Sequence, residues 1–233
     1  ISENNFTLFI LKIIENITFK LADSIFCVTE GMKKALIKKC IEKGKIIVMP
    51  NGYISKKYSY LKKPIIKNEN LISRHFRKYN NYINLTFIGT IGASQDLGLL
   101  KKVANYFADK KVIFTLVGNG SKVKSLKSEI SREKIDNIHI FETEFNDDET
   151  YLYKKIKFGF SFLKKNKTFR SVIPSKIYDY AGNNIFIIFN GPKGDASNLI
   201  EKKRLGKASK NYKELTYNIN LLLKRKNFNK IKN

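Results

Sequence analysis

The chain has 233 residues, 42% of them hydrophobic, and carries 45 Lys and Arg against 20 Asp and Glu, a formal net charge of +25. This length suits one large domain, or one domain and part of a second. The charge favours an anionic partner, but zinc-ligand spacing, an RNP-like aromatic motif and a basic zipper are missing from the sequence, which argues against the classical nucleic-acid-binding modules.

The first third of the chain predicts two helices and two strands. Apolar residues recur every three or four positions over residues 6–21, which predicts a helix. The apolar stretch "FTLFILKII" at 6–14 is too short, and is interrupted by Lys12, so it is not expected to cross a membrane. "SIFCVT" at 24–29 is typical of a buried strand, and a basic amphipathic helix follows that we expect to end at Gly44. "KIIVMPNGY" begins as a second strand and turns at its Pro-Asn-Gly. We expect the polar, basic residues 54–81 to be an exposed, irregular connection.

A regular alternation of strand and helix patterns begins at residue 83. Its strand-like segments are nearly continuous apolar runs, typical of strands buried on both faces, at residues 83–90, 112–118, 138–141, 158–163 and 185–190. Helical patterns alternate with them at residues 97–108, 122–130, 148–156, 174–181, 196–203 and about 212–223. This order predicts an α/β fold, a Rossmann-like parallel sheet with helices on both faces. A ligand is then expected at the carboxyl ends of the strands, near helix N-termini.

Two glycine-containing loops follow strands of this sheet. "GTIGASQD" places Gly89 at the end of the strand-like run at 83–90 and Gly92 just after it, and "VGNGS" places Gly118 at the end of the next run, followed by Asn119 and Gly120. Glycines there let backbone approach a ligand and leave amides free at the following helix. A tight strand-to-helix turn explains the first loop equally well. Neither loop is a GxGxxG dinucleotide motif or a GxxxxGK[ST] phosphate loop.

"SVIPSKIYDYAG", residues 171–182, combines a helix-opening proline with a lysine and an acid. Pro174 suits the first turn of a helix, and Lys176 and Asp179 then share one face at i and i+3. One interpretation is a surface ion pair, which contributes at most about 0.5 kcal/mol. The other is a site in which Lys176 faces an anionic group and Asp179 accepts hydrogen bonds from sugar hydroxyls.

Five motifs in order resemble the GT-B glycosyltransferases of the large retaining group called family 4. "ADSIFCVTEGMKKAL" resembles the end of the family's N-terminal domain, and "KIIVMPNGY" is similar to its "k-i-x-v-i-P-N-G-v" crossing into the C-terminal domain. "FIGTIGASQDLGLL" resembles the "y-x-G-x-x-G-x-x-q-g-l-x-x-l" of a subgroup that makes bacterial surface polysaccharides. "LVGNGSKVKSL" and "VIPSKIYDYAG" resemble its "x-v-G-x-G" and "x-P-x-K-x-x-E-y-x-a" elements.

The resemblance implies a site for a nucleotide-diphosphate sugar in the C-terminal domain. Asp179 stands where a glutamate binds the ribose hydroxyls, and Lys176 or Arg170 would neutralise the diphosphate. The resemblance also places the following residues: Gly89 and Gly92 at the diphosphate; Gly118, Asn119, Gly120, Thr143 and Phe145 at the nucleotide. Fixed cations and helix-start amides stabilise a departing diphosphate, and no DxD-like cluster appears, so we expect no metal and no cofactor beyond the donor substrate.

The chain also departs from the family pattern. The family's commonest form pairs two glutamates eight residues apart, but Ser171 stands at the first position and Asp179 is the shorter acid at the second. Only about 50 residues precede the crossing segment, so we expect most of the N-terminal acceptor domain to be missing. No residue is therefore assigned as catalytic, and we expect nucleotide-sugar binding with little or no turnover from this chain alone.

The resulting domain prediction has four parts: residues 1–52, a remnant of the acceptor domain and the crossing; 53–82, a basic connection; 83–225, the nucleotide-sugar-binding domain; and 226–233, a basic tail. The expected partners are a nucleotide sugar, a glycan or lipid-linked acceptor and the anionic membrane surface. Two cysteines outside any CxxC motif suit a reducing compartment, so we expect the cytoplasm or the inner face of the cell membrane.

Two alternatives stay open on the sequence. One is an inactive nucleotide-sugar-binding or scaffold domain of the same fold. The other is a basic nucleic-acid-binding α/β protein, which only the net charge of +25 favours. A coding bias toward Lys, Asn and Ile accounts for about half of that excess charge, so nucleic acid is not the expected partner.

Overall fold

The computed structural model describes residues 5–53, 69–143 and 150–224. They belong to two units that divide between Asn51 and Gly52. The first unit contains α1 (Asn5–Leu21), β1 (Ile25–Cys27), α2 (Glu30–Lys38) and β2 (Ile46–Val48). Its two strands pair in parallel, with Ile25 opposite Ile46.

Local polar contacts define the ends of the helices in this first unit. The Thr29 hydroxyl accepts the Met32 N–H at 3.0 Å and caps α2. That helix ends at Lys38, and Cys40 turns the chain with φ 61°; the predicted end at Gly44 is wrong, because the glycine lies in a separate 3₁₀ turn, Lys43–Lys45. The expectation of a buried strand at 24–29 also fails for Phe26, whose side chain is 60% exposed.

The second unit is built on a six-stranded parallel sheet. Its strands are β3 (Ile83–Ile88), β4 (Val112–Val117), β5 (Ile138–Phe141), β6 (Phe158–Phe162), β7 (Phe186–Asn190) and β8 (Gly206–Ser209). They lie in the order β5-β4-β3-β6-β7-β8, and each neighbouring pair is parallel. β3, β4 and β6 are almost wholly buried, as their continuous apolar runs predict.

Helices cover both faces of this sheet. The helices of the second unit are α3 (Glu69–Lys78), α4 (Leu97–Tyr106), α5 (Val123–Arg132), α6 (Thr150–Tyr153), α7 (Ser175–Gly182), α8 (Asp195–Lys202) and α9 (Tyr212–Lys224). α4, α5 and α9 contribute buried residues to one core, and α3, α6, α7 and α8 to the other. The predicted α/β fold with helices on both faces is therefore confirmed.

One helix lies where an irregular connection was predicted. α3 falls inside the basic segment 54–81 and packs Ile72, which is fully buried, into the second core. His75, one turn later, is also buried and lies within 2.8 Å of the Thr115 hydroxyl on β4. The prediction of an exposed connection is wrong for this part of residues 53–82, because two buried side chains at i and i+3 hold the helix against the sheet.

The edge strand β8 was also missed. Its sequence, Gly-Lys-Ala-Ser, contains no apolar run, and β7 is its only partner in the described sheet. Gly206 allows the close approach, since a methyl group built on it would overlap the Ile187 carbonyl.

Within the described ranges, no helix is both long and apolar enough to span a bilayer.

Candidate nucleotide-sugar site

The chain reverses its direction of travel across the sheet between β3 and β6. From β3 it continues to β4 on one side, and from β6 to β7 on the other. The β3–β6 ladder pairs Leu85 with Phe158 and Thr86 with Gly159. Beyond Thr86 the carboxyl ends of these strands are not paired with each other. In open α/β sheets such a switch point forms the crevice that receives ligands.

Tyr180 of α7 fills the base of this crevice. Its hydroxyl donates to the Thr86 carbonyl at 2.9 Å and accepts the Ile88 N–H at 3.0 Å. The side chain is fully buried, and a methyl group on Gly159 of β6 would overlap its ring. The phenol thus takes the hydrogen bonds that a continuing ladder would have made, and it anchors α7 at the carboxyl edge of β3.

A pocket of about 260 Å³ opens at the carboxyl end of β3, where Ile88 and Gly89 are part of its lining. It lies between the loop that follows β3 and the first turns of α7. Its described lining consists of Ile88, Gly89, Thr90, Ser94, Gln95, Tyr153, Ser175, Lys176 and Asp179. Most of these side chains carry hydroxyl, amide or charged groups, so the pocket suits a polar ligand with both anionic and hydroxyl groups.

Lys176 and Asp179 supply opposite charges to this pocket. They lie one turn apart on α7 and both line the pocket, and both are half-buried. Burial raises the pKa of the Asp179 carboxyl above its ordinary value, and the nearby Lys176 ammonium opposes that rise. The Lys176 Nζ lies 4.4 Å from the centre of the Phe87 ring. A cation and an acceptor-only carboxylate therefore face the same space.

The Gly118–Gly120 loop lies behind the pocket and supports it. Gly89 N–H donates to the Val117 carbonyl at 2.9 Å, and Ile91 N–H to the Asn119 carbonyl at 2.8 Å. Gly118 has φ 144°, and a methyl group on it would overlap the Gly89 carbonyl. The described lining of the pocket does not include Gly118, Asn119 or Gly120. The glycine at 118 instead allows the backbone of its own loop to approach the backbone of the loop after β3.

The remaining predicted residues lie around the pocket or away from it. Gly92 N–H donates to the buried Gln95 Oε1 at 2.8 Å, which closes the loop after β3. Thr143 is buried just after β5 and does not line the pocket. Arg170 is exposed, lies in the 3₁₀ turn Lys167–Ser171 and is also not part of the described lining. Phe145 lies outside the described residues.

Five polar lining residues were not anticipated. They are Thr90, Ser94, Gln95, Tyr153 and Ser175. Ser175 had a usable signal, because it is the first helical residue after Pro174. Tyr153 had none, since its place at the pocket depends on α6 packing beside Tyr180, with ring centres 6.1 Å apart.

Among the residues that the structure describes, no three His, Cys, Asp or Glu side chains come together as a metal site would require. Comparison with family models found no match. Comparison with curated proteins found none either.

Solved structures match the fold closely despite low sequence identity. Anabaena HepE in complex with UDP-glucose superposes with a TM-score of 0.67 at 14% identity, covering 92% of this chain and 57% of HepE. S. aureus TarM, in a complex that includes UDP, superposes with a TM-score of 0.61 at 14% identity, covering 88% of this chain and 37% of TarM. WaaG, a glycosyltransferase involved in lipopolysaccharide biosynthesis, superposes with a TM-score of 0.59 at 11% identity, covering 86% of this chain and 53% of WaaG.

This chain therefore spans little more than half the length of HepE and WaaG, and less of TarM. The order of the strands in the sheet and the matched structures indicate the same fold for the second unit. The second unit has the fold of the C-terminal, Rossmann-like half of a GT-B glycosyltransferase.

Proposed function

We propose that this chain is the donor-binding part of a glycosyltransferase and that its pocket binds a nucleotide-diphosphate sugar. The observation that carries the proposal is the pocket at the β3–β6 switch point, with Lys176 and Asp179 on one helical turn beside it. The ligands of the matched HepE structures, UDP and UDP-glucose, support the same ligand class.

The two charged side chains have different roles in this proposal. Asp179 accepts hydrogen bonds from the ribose hydroxyls, because a carboxylate can receive two donors at once. Lys176 and the first amides of α7 face the diphosphate, where positive charge and helix-start N–H groups are favourable. Gly89 lines the pocket and brings the backbone of its loop toward the same phosphates, while Gly92 shapes that loop through its hydrogen bond to Gln95.

The proposed reaction transfers the sugar from the nucleotide to an acceptor hydroxyl. The bond between the anomeric carbon and the diphosphate oxygen breaks, the acceptor oxygen bonds to that carbon, and the acceptor proton passes to the departing diphosphate oxygen. Negative charge grows on the departing diphosphate, and the fixed Lys176 ammonium stabilises it without reorganising. We propose that these protein groups, rather than a metal, balance that charge; nothing in the described residues is assigned as the base.

The acceptor proposed is a cell-surface polysaccharide or a lipid-linked glycan, handled at the inner face of the membrane. The motif order of the sequence supports this, together with the involvement of the similar protein WaaG in lipopolysaccharide biosynthesis. The charges of the basic helix α2 favour a solvated helix face slightly over contact with an anionic lipid surface, which is the second interpretation.

Ser171 favours a second candidate function, nucleotide-sugar binding without turnover. In the family pattern an acid often stands there, but the Ser171 hydroxyl donates to the Thr168 carbonyl at 3.3 Å within the 3₁₀ turn. Ser171 is also not among the described residues that line the pocket. Either candidate requires a donor site, so binding is tested first.

Isothermal titration calorimetry of the full chain with UDP, GDP, ADP and CDP tests the proposal. We expect saturable binding of one of them, and the same affinity after treatment with EDTA. A short DNA duplex titrated at low and high salt serves as the contrasting ligand. Binding of DNA alone, with steep salt dependence, would support the nucleic-acid alternative and remove the donor-site proposal.

A further inference from the structure

The side chain of Lys176 reaches from one face of the sheet toward the other. Its helix, α7, packs Ile177 and Tyr180 into the core shared with α3 and α8. Phe87, under the Lys176 ammonium at 4.4 Å, belongs instead to the core shared with α4 and α9. Lys176 therefore extends over the carboxyl edge of β3 to reach a ring on the opposite side, where the β3–β6 ladder has ended.

The backbone at Gly89 makes this path available. A methyl group built on Gly89 would lie 3.5 Å from both Cε and Nζ of Lys176. That is ordinary van der Waals contact for one carbon, but a larger side chain would occupy the space that the lysine uses. Gly89 also has φ 122°, which side chains rarely adopt.

We propose that Phe87 is a positioning residue for donor binding: its buried ring holds the Lys176 ammonium at the pocket, facing the donor diphosphate. This rests on the proposed function. The face of an aromatic ring attracts a cation, and Phe87 is 1% exposed, so the ring itself is fixed. A lysine has four rotatable bonds, and a side chain already held in place loses less freedom when the anion binds.

Loss of the Phe87 ring should affect phosphate-carrying ligands and the bare nucleoside differently. Phe87 does not line the pocket among the described residues, so it acts on the ligand only through Lys176. Removing the ring should therefore weaken ligands that carry phosphates and leave the bare nucleoside unaffected. A purely structural role would instead lower the affinity for both ligands, because a loosened pocket contacts the nucleoside as well.

The matched control is another ring in the same core. Phe162 is also 1% exposed, and its ring centre lies 5.3 Å from that of Phe87. Phe87→Leu and Phe162→Leu each remove one buried ring, but only the first removes the ring beneath Lys176. Phe87→Met offers a second non-aromatic variant with a flexible side chain, in case the leucine variant does not fold.

Calorimetry with UDP and with uridine on the parent chain and these variants tests the proposal. We expect Phe87→Leu or Phe87→Met to bind UDP about tenfold more weakly and uridine as well as the parent does, with Phe162→Leu near the parent for both. An equal loss of UDP affinity in Phe162→Leu, or a parallel loss of uridine affinity in the Phe87 variants, would overturn it.

A ligand-free measurement separates this inference from the proposed function. In ¹³C-labelled parent chain, the Lys176 Hε protons, assigned by their absence in Lys176→Gln, should lie upfield of other lysines because of the Phe87 ring current. An ordinary Hε shift would overturn the positioning role whether or not UDP binds. An upfield shift in a chain that binds none of the four nucleoside diphosphates would retain the contact but overturn its assigned role at the diphosphate, together with the proposed function.

Discussion

The hydroxyl of Tyr180 on α7 donates to the Thr86 carbonyl on β3 at 2.9 Å, joining residues 94 positions apart in the chain. The same oxygen accepts the Ile88 N–H at 3.0 Å. These two bonds end the β3–β6 ladder and set α7 where its first turns face the pocket. The pocket therefore depends on a buried phenol that is not among its described lining residues.

Replacing this phenol with Phe should destabilise the protein. Tyr180→Phe leaves the Thr86 carbonyl and the Ile88 N–H without their buried partner, and an unmade buried hydrogen bond costs about 1–3 kcal/mol. We expect the free energy of unfolding, measured by urea denaturation, to fall by about that amount. Tyr217→Phe, on a tyrosine that is 63% exposed, should change it little. Equal stability of Tyr180→Phe and the parent would show that the two bonds are not formed in solution.

The loop contact at Gly118 should tolerate no side chain. Gly118→Ala introduces a methyl group against the Gly89 carbonyl at a φ of 144°, so steric overlap and backbone strain act together. We expect a loss of at least about 2 kcal/mol in the free energy of unfolding. Thermal unfolding followed by circular dichroism would measure it.

Gly98→Ala is the matched control for that substitution. Gly98 lies in the first turn of α4, and the nearest atom to its built methyl group is Asp96 Oδ1 at 3.8 Å. Alanine favours a helix over glycine by up to about 1 kcal/mol, so this variant should be as stable as the parent or more so. If Gly118→Ala matched Gly98→Ala in stability, the close packing of the two loops would be contradicted.

His75 should make the protein less stable in mild acid. Its Nε2 lies 2.8 Å from the Thr115 hydroxyl, which itself donates to Asn84 Oδ1 at 2.7 Å, so His75 Nε2–H is the donor of this bond. Burial, the neighbouring His139 and the Lys78 ammonium lower the pKa of His75 from 6.5 to about 4. Burial and Lys78 also lower the pKa of His139, against a smaller opposing effect of Asp136.

The direction of the pH dependence follows from the lowered pKa. Between pH 6.5 and about 4 the unfolded chain binds a proton at His75 that the folded chain does not, so stability falls as the pH falls through this window. Each pH unit in this window corresponds to about 1.4 kcal/mol. Over the two units between pH 6.5 and pH 4.5, His75 therefore lowers the free energy of unfolding by about 3 kcal/mol. Urea denaturation at pH 7 and pH 4.5 should show a smaller difference for His75→Gln than for the parent. Equal differences would contradict the buried, neutral state of His75.

The sequence predicted the parts of the fold that depend on local pattern. Continuous apolar runs were sufficient for β3, β4 and β6, because strands buried on both faces need apolar residues at every position. β8 and α3 were missed because each is held by a few long-range contacts, at Ile187 for β8 and at Thr115 for α3. The contact of β8 leaves no periodic signal in the sequence. In α3 the buried Ile72 and His75 do have helical spacing, but the polar and basic composition of residues 54–81 obscured it.

The sequence also predicted those parts of the site that depend on residues close together along the chain. The spacing of Lys176 and Asp179 after Pro174 indicated a shared helical face, and both residues do line one pocket. The Tyr180–Thr86 bond and the Phe87 contact were not predictable, since they join elements that approach only through the sheet topology. For the same reason, nothing local indicated that the glycine at 118 would pack against the backbone at 89.

Calorimetric titration of the parent chain and of Asp179→Ala with the nucleoside diphosphate that binds best tests the central claim most directly. The pocket should bind it saturably in the parent, and loss of the carboxylate that accepts the ribose hydroxyls should weaken binding by at least about tenfold, since hydrogen bonds to a charged group contribute about 1.5–3 kcal/mol. A parent chain that binds no nucleoside diphosphate, or an Asp179→Ala variant that binds it equally well, would contradict the assignment.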